Sequence, residues 1–176
     1  MPEGSEPTAT GPAIAEPFPD RLLTFLTNHE ADFRVLHHEP VRTSAEAATV
    51  RGTAPEQGAK ALVFQADDRL VLLVLQGHLR VDTPAFKRAA GIKNLRMIAA
   101  DDLHQRFGLE VGAVPPFGHL LGLPTHVDEQ LLAVPRIAFN AGSRTTSVVL
   151  ATTDFVRLEQ PTVGRFVVDG ATPHPT

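Results

Sequence analysis

Three segments of the chain carry residue types able to do chemistry. Lys60 stands at the head of an apolar run, Ala61-Leu62-Val63-Phe64. An ammonium directed into such a run needs an anionic or carbonyl partner, because an unpaired buried charge is costly. Directed outward, it is a strand-end side chain reaching solvent, as most lysines are. The second segment is Gly112-Ala113-Val114-Pro115-Pro116-Phe117-Gly118-His119. Two prolines fix its backbone, and its glycines permit close approach or positive φ. A loop built this way either presents N–H and C=O groups rigidly to a small ligand or is a stiff connection. It lacks the lysine of a phosphate loop and the spacing of a dinucleotide fingerprint. The third is Asn140-Ala141-Gly142-Ser143-Arg144. Amides around Gly142 can form an anion or oxyanion pocket, or the segment is a hairpin turn. Ser143 lacks the Gly-x-Ser-x-Gly setting of an activated nucleophile.

The histidines raise a metal hypothesis that their spacing does not sustain. His37, His38 and Glu39 are adjacent, so in a strand their side chains diverge; His119, His126 and Asp128 lie within ten residues of one another. Neither set has the helical His-x-x-x-His spacing of a zinc site, so turn or surface histidines are expected, with no metal and no cofactor. The absence of cysteine removes thiolate catalysis, disulfides and Cys-ligated clusters. With no Trp or Tyr, aromatic stacking falls to ten Phe and eight His. Basic residues gather at Lys87, Arg88, Lys93 and Arg96, and more loosely at Arg136, Arg144, Arg157 and Arg165. Each set is either a solvated face or a small phosphate-binding patch.

The elements that must position these residues fit one domain in a chain of 176 residues, 43% of them apolar. The net charge of −4 comes from the N-terminus. Glu3, Glu6, Glu16 and Asp20 lie in the first twenty residues with no Lys or Arg, which leaves a neutral body. A neutral body is no generic polyanion binder, so any nucleic-acid contact is confined to a patch. No apolar run reaches the roughly 18–20 residues of a membrane span. The longest is Leu70 to Leu75, and the N-terminus lacks a signal-peptide pattern, so a soluble, cytoplasmic protein is expected.

Residues 1–19, with Pro at 2, 7, 12, 17 and 19, read as a flexible leader, residues 20–169 as the domain, and 170–176 as a flexible tail. Asp20 to Glu30 reads as a helix capped by Asp20, and Phe33 to Leu36 as a strand. Thr43-Ser44-Ala45-Glu46 fits a capping box opening an Ala-rich helix to Val50. Ala59 to Gln65 and Leu70 to Gln76 read as a hairpin buried on both faces. Asp82-Thr83-Pro84 opens a helix ending at Gly91, Leu95 to Ile98 is a short strand, and Asp101 to Phe107 is a helix closed by Gly108. Residues 108–126 hold seven Gly or Pro and read as shaped loop, followed by a short helix from Asp128 to Val134. Strands at Arg136–Asn140 and Thr146–Ala151 flank Gly142-Ser143. A last helix capped by Thr152 runs to Leu158, and Phe166–Val168 is a terminal strand. This order lacks strict βαβ alternation, so the class expected is α+β.

Taken in order, Lys60 before its hairpin, Gly77 after it, Gly112-x-x-Pro115-Pro116-Phe117-Gly118, Asp128-Glu129 before Leu131-Leu132, and Ala141-Gly142 ahead of a strand and Thr153-Asp154-Phe155 resemble the YbaK/EbsC family, the prolyl-tRNA synthetase-associated editing domain. The resemblance runs from about Asp20 to Leu158. It implies a single α+β domain with a mixed, curved, barrel-like sheet wrapped by helices. It also implies an aminoacyl-tRNA deacylase, a hydrolase that trans-edits tRNA bearing a wrong small amino acid, commonly proline tRNA. Lys60 and Gly142 are the implied catalytic positions. Gly112, Val114, Pro115, Pro116, Phe117, Gly118, His119, Ala141 and Ser143 are the implied substrate-binding positions. The sequence departs from many relatives at His78, where they have Asp, and at Pro115, where they have Ser or Thr.

The chemistry suits such residues. A synthetase discriminates one methylene by a factor of only about 10–200, so a second, hydrolytic sieve is useful. The substrate is an activated ester, which a positioned water and an oxyanion site can cleave without a covalent nucleophile. Lys60 would orient the ester or the terminal adenosine, and amides near Gly142 and the 112–118 loop would hold the ester. The ribose hydroxyl of the tRNA can assist the water. Expected partners are mischarged tRNA and an aminoacyl-tRNA synthetase, with no membrane and no DNA. The alternative is a non-catalytic module binding an RNA 3′ end or small ligand in the same pocket. No helix-turn-helix or extended basic stripe supports a DNA-binding protein.

Overall fold

A computed structural model describes residues 16–168. In chain order these form α1 (Phe18–Asn28), β1 (Phe33–His37), α2 (Ser44–Arg51), β2 (Ala59–Ala66), β3 (Arg69–Gln76), β4 (Arg80–Val81) and α3 (Thr83–Ala90). Then follow β5 (Leu95–Met97), α4 (Ala100–Phe107), β6 (Thr125–Asp128), β7 (Arg136–Ser143), β8 (Thr146–Ala151), α5 (Thr152–Glu159), β9 (Thr162–Gly164) and β10 (Val167–Val168). Short 3-10 turns cover Pro55–Gln57, Gly118–Leu121 and Glu129–Ala133.

The α+β class is as expected, but the strands do not close into a barrel. A mixed five-stranded sheet has the order β5-β2-β3-β6-β9, a three-stranded antiparallel sheet the order β1-β8-β7, and β4 pairs with β10. The two larger sheets touch through a parallel bridge between Gly58 and Ala138. The β2–β3 hairpin turns at Asp67-Asp68 and pairs Lys60 with Leu75. Leu72 to Leu75 are wholly buried, and their alternation feeds two cores. Leu72 and Val74 pack between the large sheets with Leu22, Leu26, Ile137, Phe139 and Leu150. Leu73 and Leu75 pack on the other face with Phe64, Phe86 and Phe166. A strand buried on both faces reads as continuous apolar sequence, as β3 does.

Local signals explain most boundaries. Thr43 and Glu46 form the capping box of α2, and Asp82 accepts the Ala85 amide at 3.0 Å to start α3. Two starts differ from expectation. Helix α1 begins at Phe18, within the expected leader, after Pro17 and with no side-chain cap; Asp20 sits in its first turn. Thr152 is the first residue of α5 rather than its cap, and its hydroxyl donates to the Val134 carbonyl at 2.6 Å. The 108–126 stretch is less irregular than expected, since it ends in β6. The rest of the expected leader, residues 1–15, and the tail lie outside the described residues. Among the described residues no helix is long and apolar enough to cross a membrane.

Candidate active site

Helix α2 lies against the outer face of the three-stranded sheet, and its composition explains how. Ala47, Ala48 and Arg51 are its buried positions, one turn apart on one face. The two alanines let the helix approach closely, and Arg51 then reaches across to β7 and β8. At the other end Ser44 donates to the Gly77 carbonyl at 2.8 Å, while the Gly77 amide donates to the Gly58 carbonyl at 2.8 Å. A Cβ at Gly77 would meet the Ser44 hydroxyl at 2.9 Å, so glycine lets helix and hairpin meet here.

Between these elements lies a cleft of about 510 Å³. One wall is the start of α2, another the head of β2 with Lys60, a third the Val111–Val114 loop, and Asn140 of β7 with Arg144 of the turn after it closes the cleft. Its charged lining residues are Arg42, Arg51, Lys60 and Arg144; no Asp or Glu lines it. Lys60 is half-buried, and none of the four ion pairs among the described residues involves it. Burial, and then the nearby Arg80 charge, hold its pKa below the ordinary lysine value.

Beneath the cleft runs a polar network around Arg51, which is only 6% exposed. Its Nε donates to Ser147 Oγ at 2.9 Å and its terminal nitrogens to Asn140 Oδ1 at 3.0 Å and the Ala138 carbonyl at 3.4 Å. Ser147 also meets His38 Nε2 at 2.7 Å. Asn140 Nδ2 donates to the Gly112 carbonyl at 2.6 Å. Every one of these Arg51 acceptors is neutral, and burial brings its pKa down to about 10. It therefore remains a cation at neutral pH with no carboxylate among these contacts.

The structure sorts the sequence-derived residues into two groups. Lys60, Gly112 and Val114 line the cleft. The others do not, and several have other work. Gly142, at φ +85°, donates its amide to the Ala113 carbonyl at 2.9 Å. That amide is therefore not a free oxyanion donor, which corrects the role expected of it. Its lack of a side chain admits Phe18, which a Cβ would meet at 2.9 Å. Phe117, an implied substrate-binding position, is wholly buried among Phe25, Phe139 and Phe155, so it is core. Pro115 and Pro116 are buried beside it. Gly118 packs where a Cβ would fall 2.1 Å from the Thr125 hydroxyl. His119 is paired with Glu159 and packs at a tilt against Phe25. Ala141 is buried in the core, and Ser143 Oγ accepts the Thr145 amide at 3.2 Å in the β7–β8 turn.

The histidine clusters also come apart. His126 stands edge-on to Phe86, and Asp128 accepts the Phe166 amide at 2.8 Å and the Gln130 amide at 3.1 Å. Of the second basic set, Arg136, Arg157 and Arg165 pair with Asp32, Asp154 and Glu129, while Arg144 joins the cleft. Sequence reasoning missed Arg51 and Ser147. The available signal was an Arg following the Ala47-Ala48 pair at helical spacing, which places it on the packing face.

Comparison with known proteins agrees with this architecture. The model of the family described as "Aminoacyl-tRNA editing domain" matches residues 38–158. The chain is 34% identical over 151 residues to the multifunctional Ser/Thr-tRNA deacylase ProXp-y of Escherichia coli, covering 83% of this chain and 90% of that one. It is 31% identical over 100 residues to the proline--tRNA ligase of Shouchella clausii, covering 57% of this chain and 18% of the ligase. A crystal structure presented as a candidate trans-editing enzyme for prolyl tRNA synthetase superposes with a TM-score of 0.76 at 26% identity, over 88% of this chain and 99% of that one. With its cleft formed from segments inside the matched region, the chain belongs to the aminoacyl-tRNA editing domain family.

Proposed function

We propose that this editing domain, an aminoacyl-tRNA hydrolase acting in trans, removes a small non-cognate amino acid from tRNA, with proline tRNA as the carrier and the cleft as the place where the charged 3′ end is held. The carrying observation is the one-signed charge of the cleft. Arg42, Arg51, Lys60 and Arg144 line it without a carboxylate. An isolated group of cations at a concave site favours an anionic ligand, and the end of an RNA brings phosphates. A body without net charge confines that attraction to the patch.

The reaction asks little covalent chemistry of the protein. Water adds to the ester carbonyl carbon and the carbonyl oxygen takes up negative charge. The carbon–oxygen bond to the ribose then breaks, and the ribose oxygen takes a proton. The products are a free amino acid and an intact tRNA. Lys60 supplies positive charge beside the ester and the terminal nucleotide, where it orients the substrate and stabilises the developing oxyanion. The adjacent ribose hydroxyl assists the water, so the site needs no nucleophile. Gly142 acts indirectly, by tying the 111–114 wall to β7 through the Ala113 carbonyl.

The test is deacylation of tRNAs charged with Ala, Cys, Ser, Thr and Pro. Loss of one non-cognate ester, abolished in Lys60→Ala, is expected. Absence of hydrolysis of every ester would overturn the reading and leave a binding module.

A further inference from the structure

We propose that Arg51 is a positioning residue of this reaction: it locks the side-chain amide of Asn140 in the orientation that clamps the Gly112 carbonyl, and so sets the cleft wall against the bound ester. The inference rests on the deacylase reading.

The lock follows from donor and acceptor types. A guanidinium has only donors and a backbone carbonyl only accepts. Asn140 lies between one of each, with Oδ1 3.0 Å from Arg51 and Nδ2 2.6 Å from the Gly112 carbonyl. Flipped, the amide would set N–H against N–H on one side and oxygen against oxygen on the other. Ser147 cannot replace Arg51 as the dependable donor. Its single hydroxyl hydrogen is shared between Asn140 Oδ1 at 3.2 Å and His38 Nε2 at 2.7 Å. His38 Nδ1 faces the Glu39 carbonyl at 2.8 Å and must carry a hydrogen to bond it. With that hydrogen on Nδ1, Nε2 accepts and competes at the shorter distance for the serine hydrogen, so Arg51 is the donor on which Asn140 Oδ1 can depend.

The clamped element is the wall that matters. Val111, Gly112 and Val114 line the cleft. The wall is fastened to β7 at two consecutive carbonyls, Gly112 by Asn140 and Ala113 by the Gly142 amide. Releasing the first fastening lets the wall move relative to Lys60 across the cleft. A displacement of about 1 Å at a reacting group is enough to lower a rate about a hundredfold. The location of Arg51 fits this role. It is buried beneath the cleft, held by helix packing, and bonded only to neutral groups, so its forked geometry does the positioning.

Two variants separate positioning from general structure. Arg51→Lys keeps the charge but loses the fork, since one ammonium cannot serve both Ser147 and Asn140 along the same directions. Asn140→Asp keeps the bond to Arg51 and gives it a counter-charge, but sets a carboxylate oxygen against the Gly112 carbonyl. The measurements are kcat and KM on charged tRNA, Tm, and amide exchange by NMR at Ala113 and Gly142. Expected are a fall in kcat of about tenfold for Arg51→Lys and about a hundredfold for Asn140→Asp. KM for Arg51→Lys should stay within about threefold. Tm should hold or rise in Asn140→Asp, and exchange at Ala113 and Gly142 should quicken in both variants. Wild-type kcat in both, or loss of activity with exchange at those amides unchanged, would overturn the proposal. If the wild type cleaves no ester, the deacylase reading fails by itself, and the exchange data still decide whether the lock exists.

Discussion

The cations that line the cleft and the cations held in ion pairs sit in different settings. Outside the cleft, Arg136, Arg157, Arg165 and His119 each meet a carboxylate, on Asp32, Asp154, Glu129 and Glu159. Within it, Arg42, Arg51, Lys60 and Arg144 meet none, although Lys60 and Arg51 are buried enough for their pKa values to fall. Pairing fastens elements together; leaving buried cations unpaired disfavours the folded state. Under the proposed function, that cost at one concave place is offset when an anionic substrate arrives.

Removing the cleft charge at Lys60 should have the largest effect. Lys60→Met is expected to lower kcat about a hundredfold or more, because charge opposite a developing oxyanion is lost. Its Tm should hold or rise. The folded pKa of Lys60 lies below that of the unfolded chain, so at any pH under both values the full penalty of the charged form is present and the variant removes it. Between the two values the unfolded chain binds more protons, so the stability contribution of Lys60 rises with pH. The enzymatic rate, corrected for spontaneous hydrolysis, should fall as pH rises through the lowered Lys60 pKa. Thermal melts and a pH–rate profile check both.

Glu159→Ala breaks a structural pair instead. The Glu159 side chain is 2% exposed and accepts from Thr125 at 2.5 Å as well as from His119. Leaving those donors unmatched should destabilise by about 2–3 kcal/mol. Turnover per folded molecule should stay at the wild-type level, as denaturant melts alongside kinetics will show. Arg144→Ala comes next. Arg144 lines the cleft and donates to the Val41 carbonyl at 3.2 Å. Its loss should raise KM for tRNA and reduce the slope of log KM against log salt by about 0.7, the value for one phosphate contact on a single strand. Arg165→Ala should change neither Tm nor rate, since its side chain is 84% exposed.

How much of this could be read from the chain depended on sequence distance. The hairpin at Ala59–Gln76, the caps of α2 and α3 and the covered β3 are local patterns, and they emerged as expected. Lys60, Gly112 and Val114, named in the sequence through the family resemblance, line the cleft. The Pro115–His119 stretch misled for a physical reason. A Pro-Pro-Phe-Gly segment is rigid whether it faces a ligand or a core, and Phe117 at 0% exposure shows that it faces the core. Arg51 was illegible because its role depends on residues 87, 89 and 96 positions away. The short strands β4 and β9 depend on pairing with β10 and β6 rather than on their own residues.

The central claim is that an unpaired cationic cleft cleaves the ester of a mischarged tRNA through Lys60. It is tested most directly by incubating wild type and Lys60→Ala with tRNAs charged with Ala, Cys, Ser, Thr and Pro and following the ester. The account predicts rapid loss of one non-cognate ester by the wild type and none above background by the variant. Hydrolysis at the wild-type rate by a folded Lys60→Ala protein would contradict it.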